Sequence, residues 1–407
     1  MGISIGLVGL GRFGQAFADL FRVHPSVDRV MLCDREADRI QAIAGRPGWH
    51  ETFDPKDQFT RFDDLLATDV DAVAVITQPW LHARQCVQAM EAGKHVYSAV
   101  PIVSLPDGDE ILEWCGRLVE VSERTGQLYM LGETSYYRPE TMFCRRKARE
   151  GAFGDFVYGE GEYFHDVDAV CSLREVREQR LSSQAGHEWL KIRERYRNEG
   201  IRSGPMHYPT HSVCGPVSVM NARAERVTAY GYSNRNGDPF FADDAFSNVV
   251  ALFRMSNGAA VRICECREVA GSFHQPETFR LMGTRGTYAE RCWKDNFRTA
   301  AGTAKPLQEQ VLTDEEMRDP LPSEVALAFK RLQDPDAPEE SDFSPKGHGG
   351  AHPYLVHEFV DSVLKIRTPA INVWEAARYM AMGVMAHKSA LRDGETLEVP
   401  DFGDPSL

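Results

Sequence analysis

Three glycines near the start constrain this chain more than any other feature. Gly9, Gly11 and Gly14 follow the apolar run "ISIGLVG" and open an amphipathic stretch, and Asp34 ends the next apolar run, "RVMLCD", twenty residues after Gly14. A strand, a tight glycine turn, a helix N-terminus and a distant carboxylate in that order suit a dinucleotide. The backbone amides face the pyrophosphate, and the acid accepts hydrogen bonds from the adenine ribose. The glycine spacing alone is a weak signal; the acid in its place separates it from a glycine-rich turn of an unrelated α/β domain. Asp34 repels a 2′-phosphate, so the reading is NAD, while Arg35 beside it is the side chain that would accept that phosphate and argue for NADP. Arg12 and Phe13 lie within the loop and count among the cofactor-binding candidates.

The alternation continues. Apolar runs at "DAVAVIT", "HVYSAV" and "QLYMLG" are separated by helical patterns over Gln15 to Phe21, Leu81 to Ala92 and Asp107 to Thr125. Strands spaced by helices pair in parallel through right-handed crossovers, so residues 1–132 read as a Rossmann-type, doubly wound α/β sheet. From there on, runs such as "FVYGEGEYFHD", "RVTAYGYS", "FSNVVALFRM", "AAVRICEC" and "ETFRLMG" follow one another through turns. Residues 133–407 therefore predict a second, α+β domain with a mainly antiparallel open sheet. Left open, one face of that sheet is a large apolar patch, which predicts a homodimer or homotetramer. Residues 302–350, with turn signals around "DPDAPEESDFSPKGHGG", predict a long surface loop, and "VWEAARYMAMGVMAHKSAL" predicts an amphipathic helix.

Composition excludes several classes of function. The 407 residues are 43% hydrophobic, enough for two cores, and the formal charge of -14 offers no basic face for nucleic acid or an anionic membrane. The opening run lacks a basic leader and no later run is long enough to span a bilayer. Nine scattered cysteines without a Cys-x-x-Cys pair suggest reduced thiols, and the expected location is the cytoplasm.

The stretch "HYPTHSVCGP" holds His207 and His211 four residues apart. A zinc reading needs both on one helical face with a third ligand; Pro209 between them disfavours that helix, so no metal is expected. Two readings stay open: Tyr208 and His211 are a buried hydrogen-bonded pair shaping a turn, or they are an acid/base pair. Just upstream, Lys191, Arg193, Arg195, Arg197 and Arg202 read as a solvated face balanced by Glu188, Glu194 and Glu199, or as a source of cations for an anionic substrate.

The order of signals, including "AGKHV" at Ala92 to Val96, resembles the Gfo/Idh/MocA oxidoreductases. Most dehydrogenases of that family continue into Glu-Lys-Pro, whose lysine moves the proton of the oxidised hydroxyl; here the segment reads Ala99-Val100-Pro101. An aliphatic side chain transfers no proton. The lysine-free pattern, with "PWLH" at 79–82, "GEGEYFHD" at 159–166, "YPTH" at 208–211, "GHGG" at 347–350 and "LEVPDF" at 397–402, resembles the NAD-dependent glycoside hydrolases of family 109, of α-N-acetylgalactosaminidase type. A sister group, the NAD-dependent sulfoquinovosidases, takes a sulfonated sugar. The chain departs from the family where "HSVCGP" replaces a glycine-rich continuation and where His352 stands in place of a common acid.

The resemblance implies site residues. Tyr163 is the implied base at the sugar C2, His211 and Tyr208 surround the hydroxyl that becomes a ketone, and Glu133 and His348 bind substrate. Thr77, Trp80, His82, Val100 and Pro101 join Gly9, Gly11, Arg12, Phe13, Gly14, Asp34 and Arg35 at the cofactor. The implied reaction is redox-neutral hydrolysis of a small-molecule glycoside: oxidation at C3, loss of the C2 proton, departure of the C1 substituent, addition of water and reduction. The alternatives are an NAD(P)-dependent sugar or inositol dehydrogenase with an unusual proton path, and an NAD(P)-binding sensor without turnover.

Overall fold

The computed structural model describes residues 2–405 apart from 51–52, 170–171, 272–276, 296–307 and 339–342. The parallel sheet has six strands, β1 (Ile3–Val8), β2 (Val27–Cys33), β3 (Gln58–Phe59), β4 (Ala72–Val75), β5 (His95–Ser98) and β6 (Tyr129–Leu131), in the order β3-β2-β1-β4-β5-β6. Every pairing in it is parallel. The order turns outward on both sides of β1, so a crevice opens at the carboxyl ends of β1 and β4, where ligands of such sheets bind. The burial of Ala72 to Val75 shows why these strands read as unbroken apolar runs: helices cover both faces.

The second sheet has nine strands: β7 (Phe156–Phe164), β8 (Ala224–Tyr232), β9 (Asn248–Met255), β10 (Ala260–Cys266), β11 (Glu277–Gly283), β12 (Gly286–Ala289), β13 (Cys292–Asp295), β14 (Gln308–Val311) and β15 (Leu397–Glu398). All its pairings are antiparallel except β7 with β10. Register matters for function here. Tyr163 lies directly between Glu265 of β10 and Glu277 of β11, so two acids share its face of the sheet. The opposite face leaves Tyr230, Tyr232, Val250 and Leu252 exposed.

Helices Thr210–Met220 and Val373–Leu391 cover the inner face. The expected helix at "VWEAARYMAMGVMAHKSAL" spans that whole stretch. The expected loop over 302–350 is corrected within its described part: Ser323–Gln333 is a helix, burying Val325 and Phe329 against the N-terminal domain, and Asp314–Met317 is a short helix capped by Thr313 and Glu316. Turn residues on both sides mask a period only eleven residues long. Residues 302–307 and 339–342 of the expected loop lie outside the described residues. Among the described residues no helix is long and apolar enough to cross a membrane, and the described cysteines are free and buried.

Candidate active site

The glycine turn is built for a close-lying ligand. Gly9 has φ +90°, and a Cβ there would stand 2.3 Å from the Ile76 carbonyl oxygen; one on Gly14 would stand 1.9 Å from that of Gly9. Only glycine permits this approach of strand and helix. A Cβ on Gly11, by contrast, would meet nothing within 4 Å, which leaves the open side of the cradle. Helix Arg12–Val23 starts there without a side-chain cap or a first-turn acid, so its amides and dipole are available to an anion. Asp34 is buried, its carboxylate oriented by the amides of Leu10 at 2.7 Å and Glu36 at 2.9 Å. These residues fit NAD. Arg35 is held by Glu188 at 2.9 Å, which draws its guanidinium away from a phosphate-accepting role.

The other cofactor candidates divide. Trp80 stacks on Trp189, centroids 5.0 Å apart, and the Thr77 hydroxyl bonds Gln85. Val100 and Pro101 follow β5 beside the crevice. His82 is 1% exposed, and its ring nitrogens lie 2.9 Å from the Pro101 carbonyl and 3.1 Å from that of Thr77. Burial lowers its pKa to about 4, and the neutral ring donates to one of these two carbonyls, with both nitrogens turned to the backbone. Arg12 is exposed, and the Phe13 ring meets His348 and His352 edge-on.

Across the crevice stands a charged cluster. The alternation in "GEGEYF" puts Gly159 and Gly161 on the inner face of β7, and a Cβ on Gly161 would stand 1.9 Å from the Ser212 carbonyl oxygen. Their missing side chains let the Thr210–Met220 helix settle on the strand, which brings the His211 ring to 5.2 Å from that of Tyr163, edge to face. Pro209 starts that helix, so His207 stays outside it and turns away to the Leu105 carbonyl at 3.0 Å.

His211 sits between partners on both nitrogens. Nδ1 donates to Glu133 at 2.8 Å and lies 3.8 Å from Glu277, while Nε2 is 3.1 Å from the Tyr208 hydroxyl. Burial disfavours its charge, but the carboxylates of Glu133 and Glu277 outweigh that and raise the pKa to about 9. Glu133 is held down to about 2, against its own burial, by the His211 charge and hydrogen bonds from its neighbours. The pair is an imidazolium and a carboxylate at neutral pH. Arg138 reaches Glu277 at 2.7 Å, and Ser135 reaches the same carboxylate at 2.6 Å. Glu133, His211 and Glu277 have the spacing of a metal site, yet the two cations already balance the two carboxylates.

Tyr163 has a second set of partners. Its phenol lies 2.6 Å from His165 Nδ1, and the Arg267 guanidinium covers its ring at 4.3 Å. Burial pushes the phenol above its ordinary range despite Arg267. Beneath it, buried Glu265 joins Arg267 and the Ser212 hydroxyl, and burial raises its pKa to about 7. His348 lies close enough to the His211 cluster to feel its charge, in a loop where Gly347, His348, Gly349 and Gly350 all have positive φ. That conformation, which glycine adopts without strain, explains "GHGG".

Sequence reading missed Arg138, His165, Glu265, Arg267 and Glu277. A signal existed for two of them: Glu265 interrupts an apolar strand on its inward side, and Arg267 directly follows that strand's end. The basic stretch ahead of His207 is engaged elsewhere, Arg193 and Arg197 with Asp243, Arg195 with Glu110 and Arg202 with the Asp244 carbonyl.

Known proteins resemble this chain in both halves. Residues 3–133 match the model of an oxidoreductase family, NAD-binding Rossmann fold (Gfo/Idh/MocA), and residues 338–406 that of the glycosyl hydrolase 109 C-terminal domain. An alpha-N-acetylgalactosaminidase of Tannerella forsythia is 25% identical over 84% of this chain and 73% of its own. A glycosyl hydrolase family 109 protein of Streptomyces niveus is 27% identical over 98% and 77%. Among solved structures, an oxidoreductase domain protein from Kribbella flavida superposes with a TM-score of 0.71 at 17% identity, covering 98% of this chain and all of that one. A levoglucosan dehydrogenase in complex with NADH and levoglucosan gives 0.70 at 16%, with the same coverage. Residues 3–133 thus resemble the NAD-binding domain of the Gfo/Idh/MocA oxidoreductases and residues 338–406 the C-terminal domain of glycosyl hydrolase family 109, a pairing that indicates an NAD-dependent enzyme.

Proposed function

We propose that the protein hydrolyses a glycoside by a redox-neutral route, of the kind known as an exception to paired-carboxylate glycosidases. NAD, held by the glycine cradle and Asp34, supplies reversible hydride transfer at the sugar C3. The observation that carries the reading is the presence of two proton-handling centres on one crevice: Glu133–His211–Tyr208, and Tyr163–His165, their rings 5.2 Å apart at His211 and Tyr163. A simple dehydrogenase moves one proton, that of the oxidised hydroxyl. Elimination moves a second, from C2.

With its pKa near 9 the resting His211 ring holds both protons, one bonded to Glu133 and the other directed at the Tyr208 hydroxyl, through which it would reach the C3 oxygen of a bound sugar. It accepts the hydroxyl proton only from its neutral form, and returns that proton when the ketone is reduced. Glu133 keeps the ring oriented throughout.

Once C3 is a ketone, the C2 hydrogen is acidic. The Tyr163 phenol passes its own proton to His165 Nδ1 as it takes the one from C2; a phenol with a raised pKa needs such an acceptor. The C1–O bond breaks, and the leaving oxygen takes the proton held by His165. Water then adds at C1, a proton returns to C2, and reduction at C3 restores the sugar, so the net change is hydrolysis. We further propose that the sheet face bearing Tyr230, Val250 and Leu252 is covered by a second copy of the chain. Sedimentation as a monomer at all concentrations would refute that.

The test uses a panel of methyl and aryl glycosides, including N-acetylhexosaminides and a sulfoquinovoside, with NAD in heavy water. Freed sugar carrying deuterium at C2, without lasting NADH, is the expected outcome; NADH accumulation with intact glycosides would make the protein a dehydrogenase. Tyr163→Phe should lower turnover at least ~100-fold and leave NAD affinity unchanged.

A further inference from the structure

We infer that a cavity beside Tyr163 is a second sugar subsite, which takes an uncharged, hydroxyl-rich ring. It has a volume of about 280 Å³ and opens between the segment after β7, the β8–β9 connection and the segment after β10. Arg267 forms a wall common to the cavity and the candidate active site, since its guanidinium covers the Tyr163 ring and donates to the Tyr163 carbonyl at 3.2 Å. Asp166, on another wall, directly follows His165. A ring seated here is therefore a neighbour of the sugar that Tyr163 faces.

The lining has the chemistry of a sugar site. Amide and carboxylate groups from Asn234, Asn236, Asp166 and Glu268 can each pair with hydroxyls, while the half-buried Val269 supplies an apolar surface for the C–H face of a ring. Two of these groups are already oriented: Asn234 donates to Glu268 at 2.9 Å and accepts from the Asp238 amide at 3.0 Å, and Glu268 accepts from Ser247 at 2.6 Å. Charge selects against an anionic ring. Arg174 bridges Asp168 and Asp238, and Arg267 is committed to Glu265, which leaves the carboxylates of Asp166 and Glu268 to repel a sulfonate or uronate.

Assigning this ring to the leaving group rests on the glycosidase reading above; the sugar chemistry of the cavity does not. Ala270 is exposed on the wall, and Ala270→Trp fills the space without removing a hydrogen bond. For the glycone cleaved in the panel, the variant should lower kcat/KM for a disaccharide by about tenfold and leave the methyl glycoside within about twofold, because methanol is too small to reach the subsite. Equal losses, or no loss, overturn the assignment. If wild type cleaves no glycoside, the functional reading fails, and saturation-transfer NMR with methyl glucoside, galactoside and mannoside decides the subsite alone. Transfer to at least one of them, reduced by half or more in both Ala270→Trp and Asn236→Ala, supports it; transfer unchanged by either variant, or absent throughout, overturns it.

Discussion

His211 carries the least obvious property of the site, a charge at neutral pH in a nearly closed environment. Removing the Glu133 charge tests it. In Glu133→Gln the hydrogen bond to Nδ1 survives while the main attraction is lost, so burial pulls the His211 pKa down from about 9 towards or below the ordinary imidazole value. If turnover needs neutral His211, the rise of kcat with pH moves to lower pH by at least ~2 units in this variant; an unmoved profile would remove His211 from the proton path. The raised His211 stabilises fully below about pH 6.5 and loses that contribution as pH climbs to about 9; the depressed Glu133 contributes above its ordinary value and loses it as pH falls towards about 2. Glu133→Gln should thus destabilise the protein most near pH 5 to 6, where both contributions are complete, by about 1–3 kcal/mol.

At the level of elements, the contact of β7 with the Thr210–Met220 helix sets the distance between the two proton centres. Gly161→Ala places a methyl group 1.9 Å from the Ser212 carbonyl, so helix or strand must move. The expected cost is about 1–3 kcal/mol in stability, with turnover lowered at least ~10-fold and NAD affinity unchanged, since the cradle lies in the other domain. Thermal unfolding, kcat and NAD titration together check this, and lost NAD affinity would show that the disturbance is not local. The same contact illustrates what the sequence could reveal. "GEGEYF" was legible as a strand with Tyr163 inside it, and Pro209 correctly separated His207 from His211. Neither showed that two glycines were an empty groove for a helix, because that is a property of the partner. Glu277 was invisible for a related reason: it enters the site only through the β7–β11 register, more than a hundred residues from Tyr163. Arg138 and His165 lacked a signal because a lone basic residue beside a strand end is ordinary.

Across the molecule, buried neutral histidines join segments far apart in the chain. His24, after the first helix, lies 3.2 Å from His357; His82 braces two loops of the crevice; His207 meets His387, with rings 4.4 Å apart; and His352 packs on Phe13 and Phe17. Burial is the first cause in each case, lowering His24, His82 and His387 to about 4, His352 to about 3, and His207 well below its ordinary value. The unfolded chain takes protons on all five near pH 6.5, where the folded chain refuses them. Stability therefore falls as pH drops through 6.5 and goes on falling until the folded values are reached, by about 1 kcal/mol per histidine one unit below that point. Glu133–His211 does not offset this, since both its contributions are flat between about pH 4.5 and 6.5. Because His24, His207 and His352 tie the N-terminal domain to the C-terminal one, the loss should be global. Thermal unfolding followed by calorimetry at pH 7.5, 6.5 and 5.5 should show a Tm nearly constant over the first step and several degrees lower after the second. His24→Gln removes one of the five protons, so its Tm should fall less steeply over that second step; an identical slope would show that His24 is already charged in the folded protein.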